Sequence, residues 1–221
     1  MKKSGLTEAD IRTKYITPAL QKAGWDIQKQ IREEKYFTDG RIRVRGSVAK
    51  REKGKKADYI LYRKCCLQLA VIEAKDNTHS VGAGLQQALD YADILDVPFV
   101  YSSNGDGFVE HDRTKSEGEI IRELTPDEFP SPEELWNRYT KSKGFDEKQE
   151  KLVKQPYHFE QGSRTLRYYQ EIAVNRTIEA IAKGLDRILL VMATGTGKTL
   201  TAFQIIWRIW KSGENKRILY L

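Results

Sequence analysis

The run Ala193-Thr194-Gly195-Thr196-Gly197-Lys198-Thr199 closes a G-x-x-x-x-G-K-[ST] pattern whose first glycine is relaxed to Ala193 or Met192. Apolar residues Ile188 to Met192 lead into it and read as a buried strand; Leu200 to Trp210 lead out and read as a helix. Strand, glycine turn and helix in that order are the context a phosphate-binding P-loop requires, and they commit this part of the chain to an α/β layer. Glycines let backbone N–H groups turn inward around phosphate oxygens, and the helix N-terminus adds partial positive charge. Lys198 can then reach the β- and γ-phosphates and the Thr199 hydroxyl can ligate Mg²⁺. A plain glycine-rich βα turn is the alternative; a Gly-Lys-Thr run set between strand and helix favours the nucleotide site.

Upstream, the pattern predicts a second and different unit. Residues 6–24 read as an opening helix with Thr7 as N-cap, Glu8 and Asp10 in its first turn, and an apolar stripe of Ile11, Tyr15, Ala19 and Leu20. Pro18 implies a kink or break, and Gly24 an end. Residues 39–56 are basic, with Ile42 and Val44 alternating against arginines as in a strand. Strands are expected over 57–62, 67–74 and 98–102, a helix over 84–95, and a turn at Asn104-Gly105-Asp106-Gly107 returning as Phe108 to His111. Four prolines and many charges mark 126–163 as a connector carrying one helix over 132–140. Beyond it come a helix over 167–183, a strand over 187–192, the P-loop, a helix over 198–211 and a further strand from Ile218. The expected organisation is a domain over 1–125, a linker over 126–163, and part of an α/β domain over 164–221.

The totals narrow the class. A length of 221 residues fits one or two domains, and 39% hydrophobic residues suffice for a core. No apolar run approaches the roughly 20 residues that span a bilayer, and no apolar segment follows Met1 to Gly5 to suggest a signal peptide. Cys65 and Cys66 are adjacent, so they neither staple a loop nor show metal spacing; a reducing, cytoplasmic location is the expectation. A net charge of +7 is compatible with a polyanionic partner.

A second constellation lies on the strands. Asp58 stands on the first short strand, and Glu73-Ala74-Lys75 ends the next. Side chains alternate along a strand, so Glu73 and Lys75 share a face. Paired as a hairpin, the two strands bring Asp58 beside Glu73. Two carboxylates converging at a sheet edge make a site for a hard cation such as Mg²⁺, which can activate water and stabilise charge on a scissile phosphate. The Lys75 ammonium would position the water or stabilise developing charge. Leu69 to Ile72 are apolar on both faces, which predicts a central strand, and ionised groups at its end are costly unless paired or metal-bound. An ordinary Glu73–Lys75 salt bridge is the simpler alternative. Gln87 and Tyr91, four apart on the next helix, share a face and could brace the site, or be plain helix surface. Glu8 could supply a third carboxylate, or be a first-turn acid favoured by the helix dipole.

In that order, Asp58, Glu73-x-Lys75 and Gln87-x-x-x-Tyr91 resemble the PD-(D/E)xK nuclease core with the QxxxY extension of RecB-like nucleases. Glu8, followed by Gly24-Trp25, resembles that family's helical acidic residue, and Ser103-Asn104-Gly105 is similar to a short turn found next in such chains. Arg167-Tyr168-Tyr169-Gln170 followed by Ala193 to Thr199 resembles the Q-motif and motif I of a superfamily 2 helicase. Nuclease followed by helicase-like motor is similar to the R (restriction) subunit of type I restriction-modification enzymes, and the resemblance covers essentially the whole chain. It implies a restriction-endonuclease-like mixed sheet flanked by helices, followed by the beginning of a RecA-like P-loop domain. It implies Asp58 and Glu73 as Mg²⁺ ligands with Glu8 auxiliary, Lys75 as catalytic lysine, and Gln87 and Tyr91 in support. Gln170 would read the adenine of ATP, while Thr194, Gly195, Thr196, Gly197, Lys198 and Thr199 hold phosphate and magnesium. The implied substrate is double-stranded DNA, pulled by the motor and cut when translocation stalls. The implied partners are modification (methyltransferase) and specificity subunits, the latter recognising the target. Ala57 stands where the family usually has proline, a position at which it varies.

The acidic Walker B segment and second motor lobe that such motors carry after motif I are not in the sequence. The expectation is therefore an amino-terminal part of a longer protein that does not itself hydrolyse ATP or translocate. Arg41, Arg43, Arg45, Lys53, Lys55 and Lys56 immediately precede Asp58, which suggests a place beside the scissile backbone; a solvated basic loop accounts for them equally. Two other readings compete. One is a catalytically silent nucleic-acid-binding module of a helicase, with Asp58 and Glu73 as ion-pair partners; the other is an ATPase unrelated to nucleic acid.

Overall fold

A computed structural model describes residues 5–37, 42–45, 48–51, 54–63, 67–159, 165–213 and 217–220. Arg41, Lys53, Cys65, Cys66, Arg164 and Leu221, all used in the sequence reading, lie outside the described residues. The chain divides into two compact units, residues 1–63 with 68–142, and residues 64–67 with 143–221.

The first unit is mixed α/β. Its helical opening runs through α1 (Glu8–Ile11), a π turn (Arg12–Ile16) and α2 (Thr17–Lys22). The Thr7 hydroxyl caps α1 by accepting from Asp10 N at 3.2 Å, while Asp10 reaches back to Thr7 N. Lys14 and Thr7 together hold the Asp10 carboxyl down at about 2. Pro18 does not break the helix. It sits in the first turn of α2, and the wide π turn just before it, closed by Thr17 N on Arg12 O, absorbs the missing N–H and the ring. Gly24 ends the segment at φ 93°, and the Trp25 indole N–H donates to Pro130 O at 2.9 Å in the core.

Six strands follow in the spatial order β1 (Ile31–Tyr36), β4 (Lys56–Arg63), β5 (Leu67–Ala74), β6 (Phe99–Ser103), β7 (Phe108–Asp112), β8 (Ile121–Leu124). A separate two-stranded sheet, β2 (Ile42–Arg45) against β3 (Val48–Arg51), is inserted between β1 and β4. Every residue of β5 is buried, as its apolar run predicts for a strand covered on both faces. β5 and β6 are parallel, so the link between them must cross over, and α3 (Leu85–Leu95) provides that crossing. The edges β1 and β8 had no prediction from the sequence. Only Ile31 of β1 and Leu124 of β8 are buried, so neither shows the alternation of a half-buried strand.

The region expected to be a connector has structure of its own. Thr125 caps a 3₁₀ turn over Pro126–Glu128, and α4 (Pro132–Lys143) buries Leu135, Trp136 and Tyr139. On α4, Arg138 reaches Glu110 at 2.7 and 3.0 Å and Asp112 at 2.6 Å on β7, while Arg122 reaches Glu110 at 2.8 Å from β8. Burial works against the Glu110 carboxylate, but the two guanidiniums and the Tyr101 hydroxyl hold its pKa below the ordinary value.

The second unit contains α5 (Glu147–Val153), α6 (Tyr168–Ala182) and α7 (Lys198–Ser212). The strands expected over 187–192 and from Ile218 do not form: 187–193 and 217–220 have no regular secondary structure. Leu189 and Val191 are 86% and 87% exposed. An apolar strand needs a neighbour to satisfy its backbone, and among the described residues this unit offers none. The buried face of α7 is also unexpected. It is polar, formed by Thr201, Gln204, Arg208 and Ser212, whereas the large apolar Trp210 is 52% exposed. Arg208 makes this possible by donating to Asn175 Oδ1 at 2.7 Å and to Val153 O, with its guanidinium over the Tyr157 ring.

Candidate active site

Several backbone segments of the first unit converge on one cleft of about 520 Å³, lined by Glu8, Arg12, Glu34, Lys56, Asp58, Glu73, Lys75 and Gln87 among others. β4 delivers Asp58 near its start, β5 delivers Glu73 near its end, α1 and the π turn deliver Glu8 and Arg12, and α3 delivers Gln87. The expected meeting of the two acids occurs on neighbouring strands. Asp58 Oδ2 accepts from Ala74 N at 2.8 Å, which seats its carboxylate beside the residue following Glu73.

Glu73 and Lys75 share a face as alternation requires, with Nζ 3.0 Å from Oε1. Lys75 N bonds Ser103 O at 2.8 Å, so the lysine remains tied to β6 beyond the last residue of β5. Gln87 bridges the pair. Its oxygen accepts from Lys75 at 3.1 Å, its amide nitrogen donates to Glu73 Oε1, and the same nitrogen lies 2.8 Å from the Tyr91 hydroxyl. An ammonium only donates, which fixes the amide orientation. Gln87 and Tyr91 therefore engage the site rather than lie on open helix surface.

Burial and the nearby Asp58 carboxylate push Glu73 up to about 7, against the opposing pull of Lys75. Lys75 loses stability as a cation through burial, yet the carboxylates of Glu73, Glu8 and Asp58 hold its pKa above the ordinary value. Glu73 Oε1 is engaged by both Lys75 and Gln87, but Oε2 is buried and accepts no hydrogen bond. A carboxylate oxygen removed from water and given no donor is costly, and a hard cation would relieve that cost. Together with Asp58 it fits a divalent ion. Glu8 is placed less directly: it reaches the site through Lys75 at 3.9 Å, and among the described residues no group of three His, Cys, Asp or Glu side chains forms a metal cluster.

Three features escaped the sequence reading. Gly84, at the N-cap of α3, is required by space: a Cβ there would lie 2.9 Å from Glu73 Cγ and 3.0 Å from Ser102 Oγ. A glycine before a helix carries no such signal by itself. Arg12 and Glu34 are the other two, their carboxylate and guanidinium 3.0 Å apart. Of the basic stretch, Lys56 lines the cleft and Lys55 lies near the Tyr91 ring. The Ser103-Asn104-Gly105 turn supports the site from behind. Asn104 donates to His79 O at 2.9 Å in the loop after Lys75, and Gly105, at φ 85°, lets Ile11 and Tyr15 pack within 3.2 Å of where a Cβ would stand.

In the second unit, Gly195 and Gly197 take left-handed conformations and Gly197 caps α7. Lys198 Nζ folds back to Ala193 O at 3.3 Å, and the Thr196 hydroxyl donates to the same oxygen at 2.6 Å. Gln170 is buried against this turn, donating to Thr196 O at 2.8 Å and accepting from Arg167 N at 2.9 Å. The glycine turn and the helix it caps thus form. Thr194 stands in the turn and Thr199 in the first turn of α7.

Residues 163–221 match the family model for the type III restriction enzyme res subunit. The chain is 53% identical over 219 residues to the type I restriction enzyme EcoAI endonuclease subunit of Escherichia coli, covering 99% of this chain and 27% of that protein. It is 30% identical to the EcoKI endonuclease subunit of E. coli strain K12, covering 93% of this chain and 22% of that protein. A solved fragment of an HsdR subunit from Vibrio vulnificus YJ016 superposes with a TM-score of 0.81 at 41% identity, covering 94% of this chain and 38% of that one. The chain thus spans about a quarter of the length of the E. coli relatives. Over nearly all of its own length, it belongs with the HsdR endonuclease subunits of type I restriction enzymes.

Proposed function

We propose that the first unit is a Mg²⁺-dependent DNA endonuclease domain, and that it works in a longer restriction subunit whose motor uses ATP. The observation that carries the reading is the buried, partnerless Oε2 of Glu73 beside Asp58, on a carboxylate whose Oε1 lies 3.0 Å from the Lys75 ammonium. Asp58 and Glu73 would hold the ion, which supplies Lewis acidity toward a scissile phosphate and a water made acidic enough to attack it. The chain's own groups do the rest. Lys75 keeps its proton because three carboxylates surround it, so it meets developing negative charge as a cation. Gln87 links Lys75 and Glu73 by one hydrogen bond to each and is itself bonded to the Tyr91 hydroxyl. On this reading, residues 1–125 hold the nuclease and residues 164–221 the first part of the motor. Gln170, Thr194, Gly195, Thr196, Gly197, Lys198 and Thr199 then form the start of an ATP site, with modification and specificity subunits completing the enzyme.

The test uses full-length protein in its assembled enzyme. Asp58→Ala or Lys75→Ala abolishes DNA cleavage and leaves ATP hydrolysis intact; Lys198→Ala stops ATP hydrolysis and, through it, cleavage. Cleavage retained by Asp58→Ala would end the nuclease assignment and favour a silent DNA-binding module.

A further inference from the structure

We propose that Arg12 is the phosphate-holding group of this site, aimed by Glu34 at the DNA backbone. The inference rests on the nuclease reading and adds a residue to it. Two backbone irregularities meet at this point. Arg12 begins the π turn of the opening helix, and Glu34 in β1 stands at φ 48°, a conformation side-chain-bearing residues rarely adopt. The β1–β4 register passes from Glu33–Tyr59 to Lys35–Ala57, which sets Glu34 across from Asp58. Like charges facing each other across strands repel. Arg12 lies between them, with Nη2 3.0 Å from Glu34 Oε1 and Nη1 3.8 Å from Asp58 Oδ1, and Lys56 bonds Glu34 at 2.8 Å.

Charge neutralisation alone leaves something over. Arg12 Nε and Nη1 are buried and make no hydrogen bond, although the side chain borders the cleft. An unmade donor on a buried cation is costly, and a phosphate oxygen brought to the cleft would give it an acceptor. Glu34 holds Nη2 and leaves the Nε and Nη1 donors without an acceptor. The cleft holds four carboxylates, Glu8, Glu34, Asp58 and Glu73, against three cations, Arg12, Lys56 and Lys75. A divalent ion reverses that balance, so phosphate enters a positive site only once the ion is present.

Arg12→Gln, Arg12→Lys, Glu34→Gln and Asp58→Ala are compared in the full-length protein, in its assembled enzyme where cleavage is followed. Arg12→Gln lowers single-turnover cleavage about 100- to 1,000-fold, the usual loss for one donor to a transition-state oxygen, with ATP hydrolysis unchanged. Arg12→Lys restores part of the rate, since it keeps the charge but not the guanidinium's separate donors. With Ca²⁺ replacing Mg²⁺, duplex binding by Arg12→Gln shows a salt slope shallower by about one, and Arg12→Lys the original slope. Mn²⁺ affinity by calorimetry stays within about threefold for Arg12→Gln. Should that variant unfold, Glu34→Gln decides: it releases the guanidinium and lowers cleavage about tenfold at unchanged Mn²⁺ affinity. Cleavage by Arg12→Gln within threefold of the parent, or loss of Mn²⁺ binding together with cleavage, overturns the assignment. In either case an inert Asp58→Ala leaves the nuclease reading standing, whereas an active Asp58→Ala refutes that reading itself.

Discussion

Glu73→Gln should make the metal-free protein more stable at pH 8 and no more stable at pH 5. The Glu73 side chain is 5% exposed, and burial followed by the Asp58 charge raises its pKa from 4.5 to about 7. That rise is worth about 3 kcal/mol at 1.36 kcal/mol per pH unit. The folded state holds this proton more tightly than the unfolded chain. Between pH 4.5 and 7 it therefore binds more protons, and stability falls as pH rises, levelling off above about 7. Glutamine has nothing to titrate there and can still accept from Lys75 and donate elsewhere. Asp58, Lys75 and Glu8, which face the position, are common to both proteins. Losing the ion pair with Lys75 offsets part of the gain, leaving roughly 1–2 kcal/mol at pH 8. For a protein of this size that shifts the unfolding midpoint upward by about 2–8 °C. Differential scanning calorimetry in chelator at pH 5, 6.5 and 8 reads it directly. A parent–variant difference of the same size at all three values would refute the reasoning. Mn²⁺ at pH 8 should narrow or reverse the gap, because the parent alone has the carboxylate to bind it.

Two further substitutions test how the site is held. Gly84→Ala keeps an allowed backbone conformation (φ −87°, ψ −5°) but drives a methyl to 2.9 Å from Glu73 Cγ. It should cost about 1–3 kcal/mol in urea unfolding and weaken Mn²⁺ binding, and a variant unchanged in both would show that the α3 N-terminus has room. Arg138→Ala leaves Glu110 and Asp112, 0% and 1% exposed, without their main cation. It should cost about 3–5 kcal/mol by the same measurement, and a loss under 1 kcal/mol would mean Arg122 suffices.

The central strand and the Glu73–Lys75 pair at its end were legible because their physics is local. Four apolar residues in a row at 69–72 mark a strand covered on both faces, and a Glu and Lys two apart at its end must share a face. Gln87 and Tyr91 were legible through helical spacing. Arg12 was not, because a 3.6-residue helical period gives no account of the side-chain placement that begins at the π turn. Glu34 was hidden in Ile31–Tyr36, a sequence whose polar run reads as loop and which is a strand only because β4 lies beside it. Ile188 to Met192 erred in the opposite sense. The residues have a strand's composition, but pairing is a property of the neighbour as much as of the segment.

The amide of Gln87 has a consequence for how the site can change. Its two ends have opposite polarity, one hooked to an acid and one to an ammonium, and both hang from a single helical position. Sliding or turning α3 by one residue, about 1.5 Å and 100°, would unlatch both ends at once and take Tyr91 with them. The arrangement admits an assembled state and a dismantled one, with little between. Any signal that reaches this helix would be read as a switch rather than as a dial.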